Sequence, residues 1–317
     1  MQLISAKEVY SLLSVTECIP LMEQALAALA SGKAHQVVRM AMPLEGRNVL
    51  GLMPAAMLEN GIFGVKVLSV FPDNAKRGVE SHQGQMLVFE SDTGKLLASA
   101  DAGAITGVRT AAASAAATKA LAREDASALA ILGAGLQGRQ HVLAMQAVRP
   151  IKTVKVWDIR PEAAAAFAKE MAEKTGLTVT ACESAREACL GADIICTLTP
   201  AKEPIVDLCD VKVGAHINAV GACTANAREI GSALMGKSRV FVDWAEAAFK
   251  EAGDILLAVK DGAMTLETVA GEVGGVIAGT LPGRQSEEEI TLFEALGQAT
   301  EDLIAAQYIL SRYAETK

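Results

Sequence analysis

Residues 128–148 of the chain read ALAILGAGLQGRQHVLAMQAV. An apolar run typical of a buried strand ends in the glycine-rich turn GAGLQG at 133–138, and a helix-forming segment follows the turn. In this context Gly133 permits a tight turn, Gly135 lets the backbone approach a pyrophosphate, and Gly138 allows the helix to pack closely on the strand. The N-terminus of such a helix presents unbonded N–H groups to phosphate oxygens. The pattern therefore predicts a dinucleotide site formed by the six residues of the turn: Gly133, Ala134, Gly135, Leu136, Gln137 and Gly138.

An acidic residue stands at the end of the second predicted strand. Asp158 follows KTVKVW at 152–157 and lies 20 residues after Gly138, which is where a carboxylate bonds the ribose hydroxyls of a bound dinucleotide. Because a carboxylate repels a 2′-phosphate, Asp158 favours NAD(H) as the cofactor. Arg160 can pair with such a phosphate or stack on the adenine. We therefore predict that NAD(H) is preferred and that NADP(H) is possible.

The segments around the turn predict the fold class. From residue 127 onward, apolar strand-like segments alternate with helix-forming segments through RVFVDWA at 239–245, a pattern typical of a parallel, doubly wound sheet of the Rossmann type. Upstream, the Val-, Leu- and Phe-rich segments 62–71 and 84–90 and the hairpin turn SDTG at 91–94 predict a mainly antiparallel sheet. The fold class is therefore α/β, with two different sheets.

Domain boundaries follow from the same change of pattern. The alanine-rich segment 104–122 predicts a connecting helix, and Ser286 to Tyr313 predicts a single long helix with a capping box at Ser286 and Glu289. We expect one domain at residues 1–119, completed by 296–317, and a Rossmann dinucleotide-binding domain at 120–295.

Composition and charge limit the classes of partner. The 317-residue chain has a formal net charge of -8, which does not provide the positive surface that nucleic acids or anionic membranes require. No run of 18 apolar residues predicts a membrane span. The six cysteines include no C-x-x-C pair, so we predict no metal site and a cytoplasmic protein with free thiols.

Three basic residues lie in apolar or small-residue surroundings: Arg39 in VVRMAM, Lys66 in FGVKVLSV and Arg109 in ITGVRTAAAS. Each of them alone is compatible with a solvent-exposed face. Together they predict a site for a substrate carboxylate, because buried charges are usually paired and arginine binds carboxylates in a bidentate manner. Lys66 can also transfer a proton. His82 is a further candidate acid or base, although a loop histidine more often bonds backbone groups.

The chain resembles the ornithine cyclodeaminase/mu-crystallin family over nearly its whole length. The segments that carry the resemblance are RM at 39–40, GVKVLSVFPDN at 64–74, HQG at 82–84, TGVRTAAASA at 106–115, ILGAGLQGRQH at 131–141, INAVGA at 217–222 and EITLFEALG at 289–297. The resemblance implies a homodimer in which the antiparallel sheets of two subunits pair and each Rossmann domain closes over a cleft. The first domain would then bind the substrate and form the dimer.

The resemblance also implies roles for individual residues. It places Arg39, Lys66 and Arg109 around the carboxylate of the substrate, with Lys66 as the candidate catalytic proton donor. It places three residues near the dinucleotide in addition to the turn and Asp158: Thr197, Thr199 and Val220.

One position departs from the cyclodeaminase pattern of the family. Cyclodeaminases carry an aspartate soon after the NAVG-type segment, where it acts on the substrate amine, and in this chain that position is Cys223. A neutral thiol is a weak hydrogen-bonding partner and a poor proton acceptor for an amine. The ACT segment at 222–224 is more similar to that of the cyclic ketimine reductases, which implies that Cys223 lies beside the substrate.

We therefore expect NAD(P)H-dependent reduction of a cyclic α-imino acid, Δ1-pyrroline-2-carboxylate or Δ1-piperideine-2-carboxylate, to the cyclic amino acid. Two alternatives stay open. The first is an ornithine or lysine cyclodeaminase or an amino-acid dehydrogenase. The second is a non-catalytic protein that binds a small molecule in a dinucleotide-dependent manner.

Overall fold

The computed structural model describes residues 1–315, and the side chains of Ala75, Lys76 and His82 lie outside that description. The chain divides into two compact units. The first unit is Met1–Thr110 with Gly297–Lys317, and the second is Ala111–Leu296. Each unit is built around its own sheet, so the two are described separately.

The strands and helices are numbered in chain order. The strands are β1 (Gln2–Ile4), β2 (His35–Gln36), β3 (Met40–Pro43), β4 (Val49–Met57), β5 (Ile62–Val70), β6 (His82–Glu90), β7 (Leu96–Asp101), β8 (Ala128–Leu132), β9 (Thr153–Trp157), β10 (Thr178–Ala181), β11 (Ile194–Thr197), β12 (His216–Ala219), β13 (Arg239–Val242), β14 (Gly271–Glu272) and β15 (Thr291–Glu294). The helices are α1 (Ala6–Leu12), α2 (Val15–Ala30), α3 (Ala102–Leu121), α4 (Leu136–Val148), α5 (Pro161–Thr175), α6 (Ala185–Cys189), α7 (Ser232–Lys237), α8 (Ala245–Glu251), α9 (Gly253–Lys260), α10 (Val273–Ile277) and α11 (Ala299–Glu315).

The second unit contains a parallel sheet with the strand order β10-β9-β8-β11-β12-β15-β13-β14. Its central strands β11, β12 and β15 are buried along their whole length, as expected for strands covered on both faces. The chain order reverses beside β8, between β9 and β11, and ligands of open α/β sheets bind at the carboxyl ends of strands at such a reversal. The predicted α/β class with a doubly wound parallel sheet is confirmed.

The first unit contains a sheet with the order β1-β7-β6-β5-β4-β2, in which β3 also pairs with β4. All pairs are antiparallel except β1 with β7, so the predicted mainly antiparallel sheet is confirmed. One face of the sheet carries buried residues such as Met53, Lys66 and Met86, which stand in register across β4, β5 and β6. Helix α11 packs against these three strands.

The opposite face of the same sheet is apolar and only half-buried. Strand periodicity places alternate residues on it, and in register these are Leu52 with Val67, Pro54 with Val65 and Leu87, and Ala56 with Phe63 and Phe89. The rings of Phe63 and Phe89 stack with their centroids 5.1 Å apart. An apolar sheet face that is not fully buried is typical of an interaction surface.

The helix predicted from Ser286 is wrong in its first part. Residues 291–294 form β15, which is inserted between β12 and β13, and the helix begins only at Ala299. The segment TLFE is fully buried between two parallel strands, and this burial outweighs the helix propensity of its flanks. Gly297 has a φ of +80°, a left-handed conformation that interrupts any continuous helix.

The N-terminal helices each begin with a capping box, Ser5 with Glu8 in α1 and Ser14 with Glu17 in α2. Within the described part of the chain, no single helix has the length and apolar character needed to cross a membrane. The consecutive helices α1 and α2 reach that length and composition only together, and they are bent by 88° relative to each other.

Candidate active site

The glycine-rich turn of the second unit joins β8 to α4. Gly133 has a φ of +114°, and a Cβ at that position would lie 2.8 Å from the carbonyl oxygen of Leu198. A Cβ on Gly138 would lie 2.4 Å from the carbonyl oxygen of Gly133, so strand and helix approach too closely for any larger residue. Gly135 is the N-cap of α4 and faces open space. The turn therefore leaves room for a ligand in front of the positive end of the α4 dipole.

Asp158 follows β9 and is held in place by hydrogen bonds. Its carboxylate accepts the N–H of Ala134 at 2.9 Å and the N–H of Arg160 at 3.0 Å, and the Nε of Arg160 lies 3.3 Å away. Burial raises the pKa of the Asp158 carboxyl, but these hydrogen bonds and the Arg160 charge more than offset that effect, so the pKa lies below its usual value. Asp158 is therefore a fixed negative charge beside the turn.

A cavity of about 470 Å³ lies against these residues within the second unit. It is lined by Gly133 and Gly135, by residues 157–160 after β9, by residues 198–201 after β11, and by Ile205. Ile159 contributes a largely exposed apolar side chain. The cavity combines an apolar wall with a carboxylate and a helix N-terminus, which are the features that an adenosine and a pyrophosphate require.

The loops after β11 and β12 contain the three other predicted dinucleotide residues. Thr197 ends β11, Thr199 lies in the following loop, and the N–H of Val220 donates to the carbonyl oxygen of Thr197 at 3.1 Å. Of the three, Thr199 lines the cavity. Its N–H and its hydroxyl both donate to Glu229, at 2.7 and 2.6 Å, a contact that the sequence did not predict.

Four buried acidic side chains form a cluster in the second unit: Glu229, Asp243, Asp254 and Glu294. Burial and the neighbouring Glu229 carboxyl raise the pKa of Asp254 to about 7. Burial and the carboxyls of Asp254, Asp243 and Glu229 raise the pKa of Glu294 well above its usual value. Among the described residues, no group of three or more histidine, cysteine or acidic side chains is arranged to hold a metal ion.

The first unit brings Lys66 and Arg109 together on one carboxylate. The Nζ of Lys66 donates to both oxygens of Asp302 at 3.2 and 3.1 Å and to the hydroxyl of Thr106 at 2.6 Å. The Nε of Arg109 donates to Asp302 at 3.0 Å, and its Nη1 donates to Glu301 at 2.9 Å. Lys66 and Arg109 are each 5% exposed, which excludes a solvated strand or helix face for either residue.

The charges of this cluster control the protonation of Lys66. Burial lowers the pKa of the Lys66 ammonium, the carboxylate of Asp302 opposes the decrease, and the positive charges of Arg109 and Arg39 add to it. Burial raises the pKa of Asp302, but Arg109 and Lys66 more than offset that effect. The formal charges of Lys66, Arg109, Glu301 and Asp302 sum to zero, and Arg39 adds a further positive charge that acts on Lys66.

Arg39 and Cys223 complete the predicted substrate residues. Arg39 lies between β2 and β3, is half-buried, and acts electrostatically on Lys66 within the first unit. Cys223 belongs to the second unit, where its thiol donates to the carbonyl oxygen of Val220 at 3.3 Å. The side chain of His82, the other candidate acid or base, lies outside the described residues.

Sequence reasoning missed the acids that organise both units. Glu301 and Asp302 form the first turn of α11, and Glu229 lies in the loop after β12. A signal was present for the first pair, since two adjacent acids interrupt the largely apolar segment that surrounds them. For Glu229 the sequence offers no such signal, because its partners Thr199 and Gly221 are recognisable only once β11 and β12 are known to be neighbours.

Comparison with known proteins is consistent with this geometry. The family model of the ornithine cyclodeaminase/mu-crystallin family matches residues 1–317. The ketimine reductase mu-crystallin of Mus musculus is 38% identical over 319 residues, which cover 99% of this chain and 98% of the mouse protein.

Two solved structures extend the similarity to three dimensions. Thermococcus litoralis Δ1-pyrroline-2-carboxylate reductase, in complex with NADH and L-proline, superposes with a TM-score of 0.96 at 37% identity and covers 100% of this chain and 98% of that chain. An archaeal alanine dehydrogenase dimer with bound NAD superposes with a TM-score of 0.94 at 33% identity and covers 100% and 97%.

Proposed function

The chain belongs to the ornithine cyclodeaminase/mu-crystallin family, and from that membership we propose that it reduces a cyclic α-imino acid with NAD(P)H. The substrate class is Δ1-pyrroline-2-carboxylate or Δ1-piperideine-2-carboxylate, and the product is the corresponding cyclic amino acid. The relatives that support this choice are named as ketimine and Δ1-pyrroline-2-carboxylate reductases.

The residues of the second unit fit a nicotinamide dinucleotide. The pyrophosphate would lie at Gly135, where no atom stands within 4 Å of a Cβ position, and the ribose hydroxyls of the adenosine would bond Asp158. Thr197, Thr199 and Val220 would line the path of the dinucleotide along the carboxyl ends of β11 and β12. When bound, the reduced nicotinamide supplies the hydride that adds to the imine carbon.

The residues of the first unit supply binding and protonation. The substrate carboxylate would be bound by the guanidinium groups of Arg39 and Arg109 and by the ammonium of Lys66. Lys66 would give a proton to the ring nitrogen as the C–N double bond becomes a single bond, and its lowered pKa suits that transfer. Burial of the cluster excludes water, which strengthens each of these charge interactions.

Cys223 is the residue that favours a reductase over a cyclodeaminase. A cyclodeaminase must oxidise an amine, release ammonia, close a ring and reduce the product, and it needs a group that accepts a proton from the amine. The thiol of Cys223 instead donates to the carbonyl oxygen of Val220. A reductase that receives a ready-made cyclic imine has no such requirement.

A substrate panel tests the proposal. Oxidation of NADH and NADPH is followed with the two cyclic imino acids and with pyruvate plus ammonia, and ammonia release is followed with ornithine or lysine plus NAD⁺. We expect steady oxidation with a cyclic imino acid and no ammonia, and Cys223→Ser should retain most of the activity. Ammonia and proline formed from ornithine at a comparable rate would establish a cyclodeaminase. Tight NADH binding without turnover of any substrate would establish a binding protein.

We further propose a preference for NADH over NADPH. Asp158 is a fixed carboxylate at the ribose position, whereas Arg160 is two-thirds exposed and paired with it, so a 2′-phosphate would meet the negative charge directly. The kcat/KM values for the two cofactors are compared in the wild type and in Asp158→Ala, which should narrow the difference. A preference for NADPH of about tenfold or more, which corresponds to about 1.4 kcal/mol, would show that Arg160 dominates.

We propose that the protein is a homodimer and that it is located in the cytoplasm. The similar archaeal alanine dehydrogenase is a dimer, and the first unit presents an apolar sheet face formed by β4, β5 and β6. The cytoplasm is supported by the exposed thiol of Cys209, because reducing compartments maintain such thiols.

A further inference from the structure

We infer that Glu229 is a positioning residue that holds the loops after β11 and β12 together and thereby sets the affinity for the nicotinamide dinucleotide. This inference rests on the proposed function in one respect, namely that these two loops contact the dinucleotide. Glu229 itself is fully buried, so it acts through its partners.

The two oxygens of the Glu229 carboxylate bind different loops. Oε1 accepts the N–H of Thr199 at 2.7 Å and its hydroxyl at 2.6 Å, both from the loop after β11. Oε2 accepts the N–H of Gly221 at 2.8 Å, from the loop after β12. Burial raises the pKa of the Glu229 carboxyl, and the hydrogen bonds from Thr199 and Gly221 oppose that increase. The three donors therefore tie one side chain to both loops.

The loops themselves are in direct contact beside this carboxylate. A Cβ on Gly221 would lie 2.1 Å from the carbonyl oxygen of Thr199 and 2.5 Å from Oε2 of Glu229. The first of these atoms is backbone and cannot move aside without displacing its loop. Gly221 is therefore required for the two loops to close on Glu229.

The backbone of Glu229 is fixed from two other directions. The N–H groups of Glu229 and Ile230 donate to one oxygen of Asp254, on α9, at 2.9 and 2.7 Å. The carbonyl oxygen of Glu229 accepts the N–H groups of Ile205 and Val206 at 2.8 and 3.1 Å. The carboxylate is consequently anchored to the body of the second unit, and the loops are the parts that it positions.

The link to ligand binding passes through Thr199. Thr199 lines the cavity beside Gly133 and Asp158. Its N–H and its hydroxyl both donate to Glu229. A Thr199 loop released from Glu229 would be free to move into or away from the cavity, and part of the binding free energy would then be spent on ordering it. The affinity for the dinucleotide should fall, while the cluster of the first unit is unaffected.

Two variants test the inference, each with a matched control on the surface of the second unit. Glu229→Gln keeps the shape of the side chain but replaces one acceptor oxygen by an NH₂ group. This donor would face the N–H of Gly221 or the N–H and hydroxyl of Thr199, which are themselves donors. Thr199→Val removes only the hydroxyl. Glu246→Gln and Thr178→Val make the same chemical changes at exposed positions. The Kd for NADH is measured by fluorescence titration, together with the thermal midpoint and the separate KM values for NADH and for the imino acid.

We expect Glu229→Gln to raise the Kd and the KM for NADH by about tenfold or more and Thr199→Val by about threefold, as for the loss of buried hydrogen bonds. The KM for the imino acid and both controls should change by less than about twofold. An unchanged Kd in Glu229→Gln overturns the inference, even if the thermal midpoint falls, because the role would then be only structural. If Glu229→Gln does not fold, an unchanged Kd in Thr199→Val overturns it.

The outcome is separable from that of the proposed function. A wild-type protein that binds NADH but reduces no imino acid refutes the proposed function and leaves the comparison of Kd values valid. A wild-type protein that reduces imino acids while Glu229→Gln binds NADH normally refutes the inference alone.

Discussion

Lys66, Arg109 and Asp302 show how a single buried carboxylate can organise a basic site. Isolated charges in a protein interior are costly, and buried pairs are retained only with good geometry and further hydrogen bonds. Asp302 meets that condition, since it accepts from Lys66 and Arg109 at 3.0 to 3.2 Å and is fully buried. It fixes the direction of both basic side chains, and its charge opposes the decrease that burial causes in the pKa of Lys66.

Asp302→Asn should lower imino acid turnover without weakening NADH binding. Without the carboxylate, burial and the charges of Arg109 and Arg39 lower the pKa of Lys66 further, so less of the ammonium form is present near neutral pH. We expect kcat/KM for the imino acid to fall by roughly tenfold to a hundredfold and the alkaline limb of its pH profile to move to lower pH. Steady-state kinetics across pH and NADH titration measure these effects, with the exposed Asp92→Asn as control. An unshifted alkaline limb would contradict this role for Asp302.

The residues of this cluster also show how far sequence reasoning extends. Arg39, Lys66 and Arg109 could be selected because a basic residue in an apolar segment is unusual at any position. Asp302 also interrupts a largely apolar segment, but that pattern does not show which basic residues it binds. Its partner Lys66 is 236 positions away in the chain, and only the fold brings the two together.

At the scale of elements, the glycine turn was predictable and the last strand was not. The strand, turn and helix around Gly133 are contiguous, so spacing alone defines them. Strand β15 has no local signal of that kind, because its four residues are strand only through their neighbours β12 and β13. This strand brings Glu294 to the carboxyl edge of the sheet, and the acidic cluster was therefore not foreseen.

The cluster at this edge predicts that the stability of the protein depends on pH. The pKa of Asp254 is about 7 in the folded protein against 3.8 ordinarily, and that of Glu294 is also raised. Between pH 3.8 and about pH 7, the folded state thus binds more protons at Asp254 than the unfolded state does. The free energy of unfolding therefore falls as the pH rises through this window. For Asp254 alone the decrease between about pH 5 and pH 8 is roughly 2 to 3 kcal/mol.

Glu294→Gln should flatten this dependence, because the amide removes a titrating group whose pKa is raised by burial and by the carboxyls of Asp254, Asp243 and Glu229. The free energy of unfolding of the variant should exceed that of the wild type by roughly 1 to 2 kcal/mol near pH 8, and the two values should be similar near pH 5. Urea unfolding at a series of pH values measures the difference, and Glu246→Gln, an exposed matched control, should follow the wild type. Parallel pH profiles for Glu294→Gln and the wild type would show that the cluster does not retain a proton.

At the scale of the whole molecule, the proposed homodimer gives the half-buried apolar face of the antiparallel sheet a partner surface. Antiparallel sheets commonly place one face on the core and leave the other to water, in which case the outer residues are polar. Here the outer positions of β4, β5 and β6 include Leu52, Pro54, Val65, Phe63 and Phe89. In a closed homodimer with twofold symmetry, this face would pack against the same face of a second copy.

Val65→Glu should therefore convert a dimer into a monomer. Val65 lies in the middle of the apolar face, in register with Pro54 and Leu87, and two symmetry-related carboxylates there would be desolvated without partners, at a cost of several kcal/mol. Light scattering coupled to size exclusion should give about twice the 33.0 kDa chain mass for the wild type and a single chain mass for the variant. Far-UV circular dichroism should be retained, because Val65 points away from the buried face that packs on α11. Val213→Glu makes the same change at an exposed position of the second unit and should stay dimeric. A monomeric wild type at micromolar concentration would contradict the homodimer, and a dimeric Val65→Glu would place the interface elsewhere.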